Sequence, residues 1–574
     1  MAERSEKAWL KPVMRTVRPV YREVAAMSLF VNVLALATPI FVLQVYDRVV
    51  FHAGLSTLKA LVVGMAVAIG FDFVLRQSRA RMLQKAALRF DVAVGRALFD
   101  RLTRLPLPEL ERRPAAFWTS LFRDLETLRN TLSGSTALLL VDLPFAVLFA
   151  ILVFVIAEPV AWVLLVVLPL FVVLGLASGR SLDAANRDER DAGFQRERLV
   201  AEMVAGRATV KSLALGDWLR PKYEALHAGT IGQSLLRGGK ADGFANLALL
   251  LTVSTTVAVT AFGALAIVEQ QLTIGALIAA NILVGRIAAP FNQLVGTWRN
   301  YAMYRQAKRR LGEVFALAGE DEPEGVELPR PSGELSFDEL SFRYGDDLAP
   351  AIDGIKAQIK PPGFLGIVGS NGSGKTTLLK LVQGLYVPSA GRVLLDGADV
   401  AQFPRAHLAR WIGYVPQECV LFSGSIRDNL LAGRPDAGDD EIVRASGIAG
   451  LHDRVLALPD GYATEVGEGG LRLPGGLRQR VAVARALVGD PPVLLLDEPS
   501  NNLDREGEAD LKRGLASLAR DHMVVAVTHS PVLLSACNMI LVMERGKVVR
   551  AGPPAEILAG LNAPPAPAPV RLNR

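Results

Sequence analysis

Apolar and charged stretches alternate along the first 300 residues on a scale that a soluble domain does not need. Six mostly apolar runs recur, at 24–46, 58–75, 135–156, 160–178, 246–268 and 274–295, and a bilayer core takes about 20 apolar residues per spanning helix. Six membrane helices are predicted. They fall into hairpin pairs, because the connections 47–57, 157–159 and 269–273 are short and hold no Lys or Arg except Arg48. The stretch 76–129, by contrast, carries 12 Lys or Arg, so the excess of cations places the two long loops and both termini on the cytoplasmic side. Those loops, 76–134 and 179–245, mix apolar and charged residues in a way that continues the membrane helices into the cytosol.

The pattern then changes. An acidic, Pro- and Gly-rich stretch at 318–333, AGEDEPEGVELPRPSG, reads as an interdomain linker. From 334 to 561, short apolar strands such as 364–368, 493–496 and 523–527 alternate with helical patterns, the signature of a mostly parallel α/β sheet. The expected architecture is a cytoplasmic segment 1–23, an α-helical six-helix transmembrane domain 24–317, the linker, an α/β phosphate-loop domain 334–561 and a disordered tail 562–574.

Composition agrees with a membrane half, since 51% of residues are hydrophobic. The net charge of +6 could suit nucleic acid, but the basic stretches lie beside the apolar runs, and the cytoplasmic face of a membrane accounts for them. Only Cys419 and Cys537 are present, which leaves no disulfide framework or thiolate metal site to argue. No cleavable signal is expected, because the first apolar run starts near Val24 and exceeds a signal-peptide core.

The chemistry concentrates in the second half. Gly369, Ser370, Asn371, Gly372, Ser373, Gly374, Lys375 and Thr376 form a phosphate loop directly after the strand FLGIV and before the helical run TLLKLVQGL, with Thr377 following. Glycines let backbone N–H groups close around a β-phosphate at a helix N-terminus, the Lys375 ammonium reaches the β and γ oxygens, and the Thr376 hydroxyl suits Mg²⁺. The apolar strand VLLL ends in Asp497 and Glu498. Asp497 can hold Mg²⁺, often through water, and Glu498 can orient or deprotonate an attacking water.

Tyr344 in SFRYGD, Gln417 in IGYVPQE, the block 473–480 (LPGGLRQR), 500–504 and His529 in VAVTHS occur in the order and spacing of an ABC ATPase, which residues 333–561 resemble. The resemblance implies that Tyr344 stacks on adenine, that Gln417 touches Mg²⁺ and water and relays nucleotide state, and that His529 contacts the γ-phosphate. It implies that Pro474, Gly475 and Gly476 cap the γ-phosphate of a partner chain, and that 464–469 (TEVGEG) contacts the membrane domain. The membrane half, with QVYDRV at 44–49, DLP at 142–144 and the run 272–299, is similar to type I protein-secretion ABC exporters of the protease and repeat-in-toxin branch, here without an amino-terminal peptidase-like domain. That likeness implies an ATP- and Mg²⁺-using half-transporter in the bacterial inner membrane, surrounded by lipid, that pairs with a second half-transporter in a homodimer. Its further expected partners are a periplasmic membrane-fusion adaptor, an outer-membrane channel and an unfolded protein substrate, with no nucleic acid. Segments 114–119 and 217–224 are the expected coupling helices.

Departures from the family pattern mark what stays open. The usual LSGGQ reads LPGGL, so Pro474 removes a hydroxyl and an N–H and Leu477 removes a polar side chain, and Asn501 stands where relatives commonly have Ser. Turnover is expected to be slow. A lipid, peptide or drug exporter, or a catalytically weak regulatory subunit of a heterodimer, are the alternatives. Asp142 and Arg286 interrupt apolar runs, either as functional charges within the membrane or as groups in water or paired near a cavity mouth.

Overall fold

The computed structural model describes residues 9–50, 52–320, 329–345 and 347–561. The tail 562–574 and half of the expected linker, 321–328, lie outside these residues. The chain divides into two compact units, Met1–Arg104 with Arg113–Ala318, and Leu105–Arg112 with Gly319–Arg574.

In the first unit the helices are α1 (Leu10–Leu34), α2 (Ala37–Gln44), α3 (Leu55–Thr103), and, after a short helix α4 (Leu107–Glu111) that packs with the other unit, α5 (Ala115–Ser133), α6 (Ser135–Asp142), α7 (Phe145–Ile156), α8 (Glu158–Ala205), α9 (Arg207–Ser212), α10 (Gly216–Val268) and α11 (Ile274–Ala316). Among the described residues, five helical segments are long and apolar enough to cross a membrane. The sixth expected span is broken in two, because Pro144 lacks the N–H that would continue α6 and instead sits at the head of α7. Helix α3 has 49 residues, which at 1.5 Å per residue gives about 73 Å, more than twice the ~30 Å hydrocarbon core. Helices α8, α10 and α11 are similarly long. Each therefore runs on past the bilayer, as the amphipathic loops predict.

Packing differs between the two ends of this unit. Ala146, Ala150, Ala157, Ala161, Ala276 and Ala280 are interspersed among Phe149, Leu164, Leu283 and Ile287 in one core, and such small residues let helices approach closely where no hydrophobic effect drives them together. A Cβ on Gly263 of α10 would lie 2.3 Å from Leu277 Cδ1 of α11, so a larger residue at that crossing would have to displace the Leu277 side chain. The second core holds Leu83, Phe90, Leu98, Leu121, Leu125, Leu128 and Leu311, large residues at helical spacing, as expected of amphipathic helices in water. Exposed Val62, Val63, Val67 and Phe71 on α3 present an apolar face suited to lipid.

The described residues of the second unit form two sheets. Strands β1 (Leu335–Phe342), β2 (Ile352–Ile359), β4 (Ala390–Leu395) and β5 (Ala398–Asp399) form an antiparallel sheet in the order β2-β1-β4-β5. Strands β3 (Gly363–Gly369), β6 (Ile412–Val415), β7 (Val493–Asp497), β8 (Met523–Val527), β9 (Met539–Glu544) and β10 (Lys547–Gly552) form the main sheet, ordered β10-β9-β3-β8-β7-β6 and parallel except for β10. The continuous apolar runs of β7 and β8 are explained by burial on both faces. On β3, Phe364 and Val368 face one core while Leu365 and Ile367 face the other. Register pairs Ile367 with Val527 and Asp497 with Val527, which brings the carboxyl ends of β3, β7 and β8 level. Both the phosphate loop and the acidic pair emerge there.

Candidate nucleotide site

The phosphate loop leaves β3 at Gly369 and enters the helix Lys375–Val382. Gly374 turns the chain at φ +97°, and a Cβ there would meet the Ala351 carbonyl at 2.3 Å, so the loop folds this tightly only with glycine. The Lys375 ammonium donates to the carbonyls of Gly369, at 2.7 Å, and Ser370, at 3.0 Å. Burial lowers its pKa while Glu498 and Asp497 oppose that shift. A cation held by weak carbonyl acceptors beside two acids is poised to exchange them for phosphate oxygens.

A cavity of about 370 Å³ opens above the loop, lined by Tyr344, Ala351, Asn371, Gly372, Ser373, Gly374, Lys375, Thr376, Thr377, Gln417, Asp497, Glu498 and Val527. Tyr344 is 52% exposed and shares a 2.9 Å hydrogen bond with Thr377 Oγ1, leaving a free aromatic face at the rim. The side chain of Asp497 is buried beside the Thr376 hydroxyl. Burial raises its pKa, opposed first by the Thr376 hydroxyl and then by Lys375. A buried carboxylate next to the Thr376 hydroxyl and the Gln417 amide of the same cavity is a donor set that fits Mg²⁺.

Glu498 is held at φ +49°, and its N–H donates to the Val527 carbonyl at 2.8 Å. Non-glycine residues seldom adopt this conformation, and the bond from the next strand maintains it. Burial raises the carboxyl pKa, with His529 the main opposing charge. The raised value makes Glu498 a stronger proton acceptor than a surface carboxylate. His529 places Nε2 3.6 Å from Glu498 Oε1 and is 53% exposed, although its side chain does not line the cavity.

Pro474, Gly475 and Gly476 do not line the cavity either. Pro474 is the N-cap of the helix Gly475–Leu487 and forms no side-chain cap, while Leu477, half-buried, packs against the core. The helix is gripped farther along by Arg480, only 5% exposed, which donates to the Gly450 carbonyl at 2.6 Å and lies 3.8 Å from Asp510. A Cβ on Gly450 or Gly507 would come within 2.3 or 2.4 Å of the guanidinium nitrogens. Both glycines make room for Arg480, a role no local pattern in the sequence announces. The segment 464–469 pairs with 424–426, Val466 N–H donating to the Gly424 carbonyl at 2.9 Å and Ile426 N–H to the Thr464 carbonyl at 3.0 Å.

The first expected coupling segment, 114–119, and the stretch just before it fall in different units. Residues 114–119 open α5 of the first unit, and it is Leu105–Arg112 that packs with the nucleotide unit, Leu107 contributing to its core. The apolar content of LPLPEL, broken by prolines, hides this short helix from a periodicity search.

In the first unit, Asp142 is paired. Arg79 Nη1 donates to its Oδ1 at 2.9 Å and Oδ2 at 3.1 Å and to Ser28 Oγ at 2.9 Å, and Asn32 Nδ2 donates to Asp142 Oδ1 at 3.2 Å. Arg79 lies 24 residues into α3, about 36 Å along it and past a ~30 Å hydrocarbon core. Arg286, 12 residues into α11, is about 18 Å from its start and exposed. The two charges thus have different settings.

Comparison with known proteins agrees with both units. Residues 23–290 match the ABC transporter transmembrane region, and residues 352–501 match the ABC transporter family. The cyclolysin secretion/processing ATP-binding protein CyaB of Bordetella pertussis is 33% identical over 97% of this chain and 78% of its own length. The alpha-hemolysin translocation ATP-binding protein HlyB of Escherichia coli is 32% identical over 96% and 78%. A bacterial Atm1-family ABC exporter with ATP bound shares the fold, with a TM-score of 0.84 at 22% identity over 95% of this chain and 97% of that one. The apolar helices, the phosphate-loop site and these relatives together describe a multi-pass protein of the bacterial inner membrane with its ATPase domain in the cytoplasm. The chain belongs to the ABC transporter family, as an exporter that carries a transmembrane region and a nucleotide-binding domain in one polypeptide.

Proposed function

We propose that this chain is an ATP-hydrolysing half-transporter that works as a homodimer and exports an unfolded protein across the inner membrane. The observation that carries the reading is the incompleteness of the nucleotide cavity. Lys375, Asp497 and Glu498 line it, whereas Pro474, Gly475 and Gly476 sit elsewhere in the same chain at the exposed head of a helix. A second copy placed head to tail supplies those glycine N–H groups to the γ-phosphate, and each site is then shared. Asp497, Thr376 and Gln417 would hold Mg²⁺, which neutralises charge on the β and γ oxygens when bound. Tyr344 supports adenine, Lys375 binds phosphate, Glu498 accepts a proton from water and His529 orients beside it.

Closure of the two ATPase domains moves the membrane helices through Leu105–Arg112 and the 217–224 segment, and hydrolysis reopens them. Protein cargo is favoured because the relatives are named for cyclolysin and hemolysin secretion. The fold alone does not separate cargoes. A periplasmic adaptor and an outer-membrane channel, expected to co-purify from native membranes, complete the path.

Shared sites have a decisive test. Lys375→Ala and Gly476→Glu chains should each be inactive alone, and co-expression should recover ATPase activity, because a mixed dimer retains one intact site. A mixture as inactive as its parts would contradict the shared site.

The altered signature motivates a second reading, a regulatory subunit of a heterodimer. Pro474→Ser would restore a hydroxyl and also cap the helix Gly475–Leu487, where substitutions at an N-cap are worth about 1 kcal/mol. If the missing contact acts mainly in the transition state, hydrolysis should rise about tenfold, equivalent to ~1.4 kcal/mol. Leu477 is a poorer target, since a polar replacement would intrude on its core contacts. Brisk turnover by the parental protein, with no gain from Pro474→Ser, would remove the support for the regulatory reading.

A further inference from the structure

The open face of α11 differs from those of its neighbours in the first unit. Exposed Val62 and Val67 on α3, Val166 and Val173 on α8, and Leu250 and Val257 on α10 suit hydrocarbon. On α11, by contrast, none of the large apolar side chains described from Gly275 to Leu294 is exposed, and the open positions there are Gly285, Arg286, Ala289 and Gln293. They fall three or four residues apart, on one side of the helix. A Cβ on Gly285 would meet no atom of another element within 4 Å, so this face opens on space rather than on a neighbouring helix of the unit.

Arg286 lies about 18 Å along α11 from its start, within the reach of a ~30 Å hydrocarbon core. A guanidinium at that depth needs water or an anion. The six apolar runs hold two acids, Asp72 and Asp142. Each is taken, Asp72 by Arg76 at 2.6 Å and Asp142 by Arg79 at 2.9 Å. A second copy of the chain brings the same two pairs and no spare carboxylate at membrane depth. Hydrocarbon offers no anion either. What faces Arg286 is therefore water, and whatever anionic group passes through it.

We propose that Gly285, Arg286, Ala289 and Gln293 line a water-filled route through the membrane, and that Arg286 is a specificity-determining residue favouring carboxylate-rich stretches of an extended polypeptide. The proposal rests on the reading of the cargo as an unfolded protein. An extended chain carries its side chains past a fixed guanidinium one after another. Each Asp or Glu can accept a pair of N–H bonds from Arg286, whereas a Lys is repelled. One cation on an otherwise uncharged face binds strongly enough to select and weakly enough to release, as passage requires.

Two measurements on the full-length protein in lipid nanodiscs test this. In a background of Cys419→Ala and Cys537→Ala, Ala289→Cys should react with the charged thiol reagent MTSET, and Val67→Cys should not. An unreactive Ala289→Cys would place the face in lipid or against the second copy and overturn the proposal. Fluorescent, unstructured Gly/Ser peptides bearing regularly spaced Asp, no charge, or regularly spaced Lys are then titrated onto the nucleotide-free protein. The parental protein should bind the Asp peptide about tenfold more tightly than the neutral one, and the Lys peptide most weakly. Arg286→Gln should erase the preference with neutral-peptide affinity kept within about twofold, and Arg286→Glu should invert it. Gly285→Leu, whose side chain meets open space in the unit, should weaken all three peptides alike, and unchanged binding would take this face out of the route. If the parental protein binds none of the peptides, the protein-cargo reading fails and this one with it. If it binds all three equally, or Arg286→Gln keeps the preference, the Arg286 assignment alone is wrong. Loss of the dimer in Arg286→Gln would show that the guanidinium serves the second copy, and would also overturn the proposal.

Discussion

Glu498→Gln is expected to reduce steady-state hydrolysis by roughly a hundredfold or more while ATP binding changes little. The backbone at this position is held at φ +49° by the bond to Val527, so the side chain enters the cavity from a fixed point and glutamine occupies the same volume. What changes is the capacity to take a proton. Burial raises the Glu498 pKa, which increases the basicity of its carboxylate, and the amide has no comparable basicity. The variant should therefore accumulate ATP-bound, closed dimers. Phosphate release measured alongside retained ATP after rapid desalting separates binding from turnover. Hydrolysis at the parental rate would show that another group, or water alone, takes the proton.

Asp142→Ala should be among the most destabilising substitutions in the membrane unit, by about 3–5 kcal/mol. The reason is what it leaves behind. Arg79 is almost fully buried, with 7% of its side chain exposed, and among the described residues Asp142 is the anion paired with it, in a cluster that joins α1, α3 and α6. Removing the carboxylate strands a guanidinium whose remaining partner there is a neutral serine, and burying an unpaired charge costs far more than an ion pair contributes. The matched apolar exchange, Arg79→Met with Asp142→Leu, should recover most of the loss, because it removes both charges together. Thermal unfolding of the three proteins in one detergent, at one scan rate, gives the comparison. Equal midpoints for Asp142→Ala and the parental protein would mean that Arg79 finds water or another anion, and that the three-helix cluster is not a structural lock.

The same cluster shows where sequence reading stops. Asp142 is legible as an anomaly, since a carboxylate interrupts an apolar run, but its partner is 63 residues away and could not be picked from the 12 cations between 76 and 129. The break in the third span had a local signal in Pro144, whose missing N–H acts within one turn. Gly450 and Gly507 gave no such signal. Their need for hydrogen in place of Cβ comes from Arg480, which reaches them from another helix.

Sequence alone determined the membrane runs, the side of the membrane on which the cations lie, the phosphate loop and the acidic pair. These features rest on short-range physics: about 20 apolar residues span a bilayer, and a glycine-rich turn between strand and helix presents its own N–H groups to an anion. Tertiary structure decided which distant groups meet. The parallel register of β3, β7 and β8 brings Lys375, Asp497 and Glu498 to one cavity, and the capture of Leu105–Arg112 by the nucleotide unit sets Glu111 against Tyr386, 275 positions along the chain. Periodicity carries no information at that separation, because side-chain partners across it are selected by the packing of whole elements and by the cost of leaving a buried polar group unpaired.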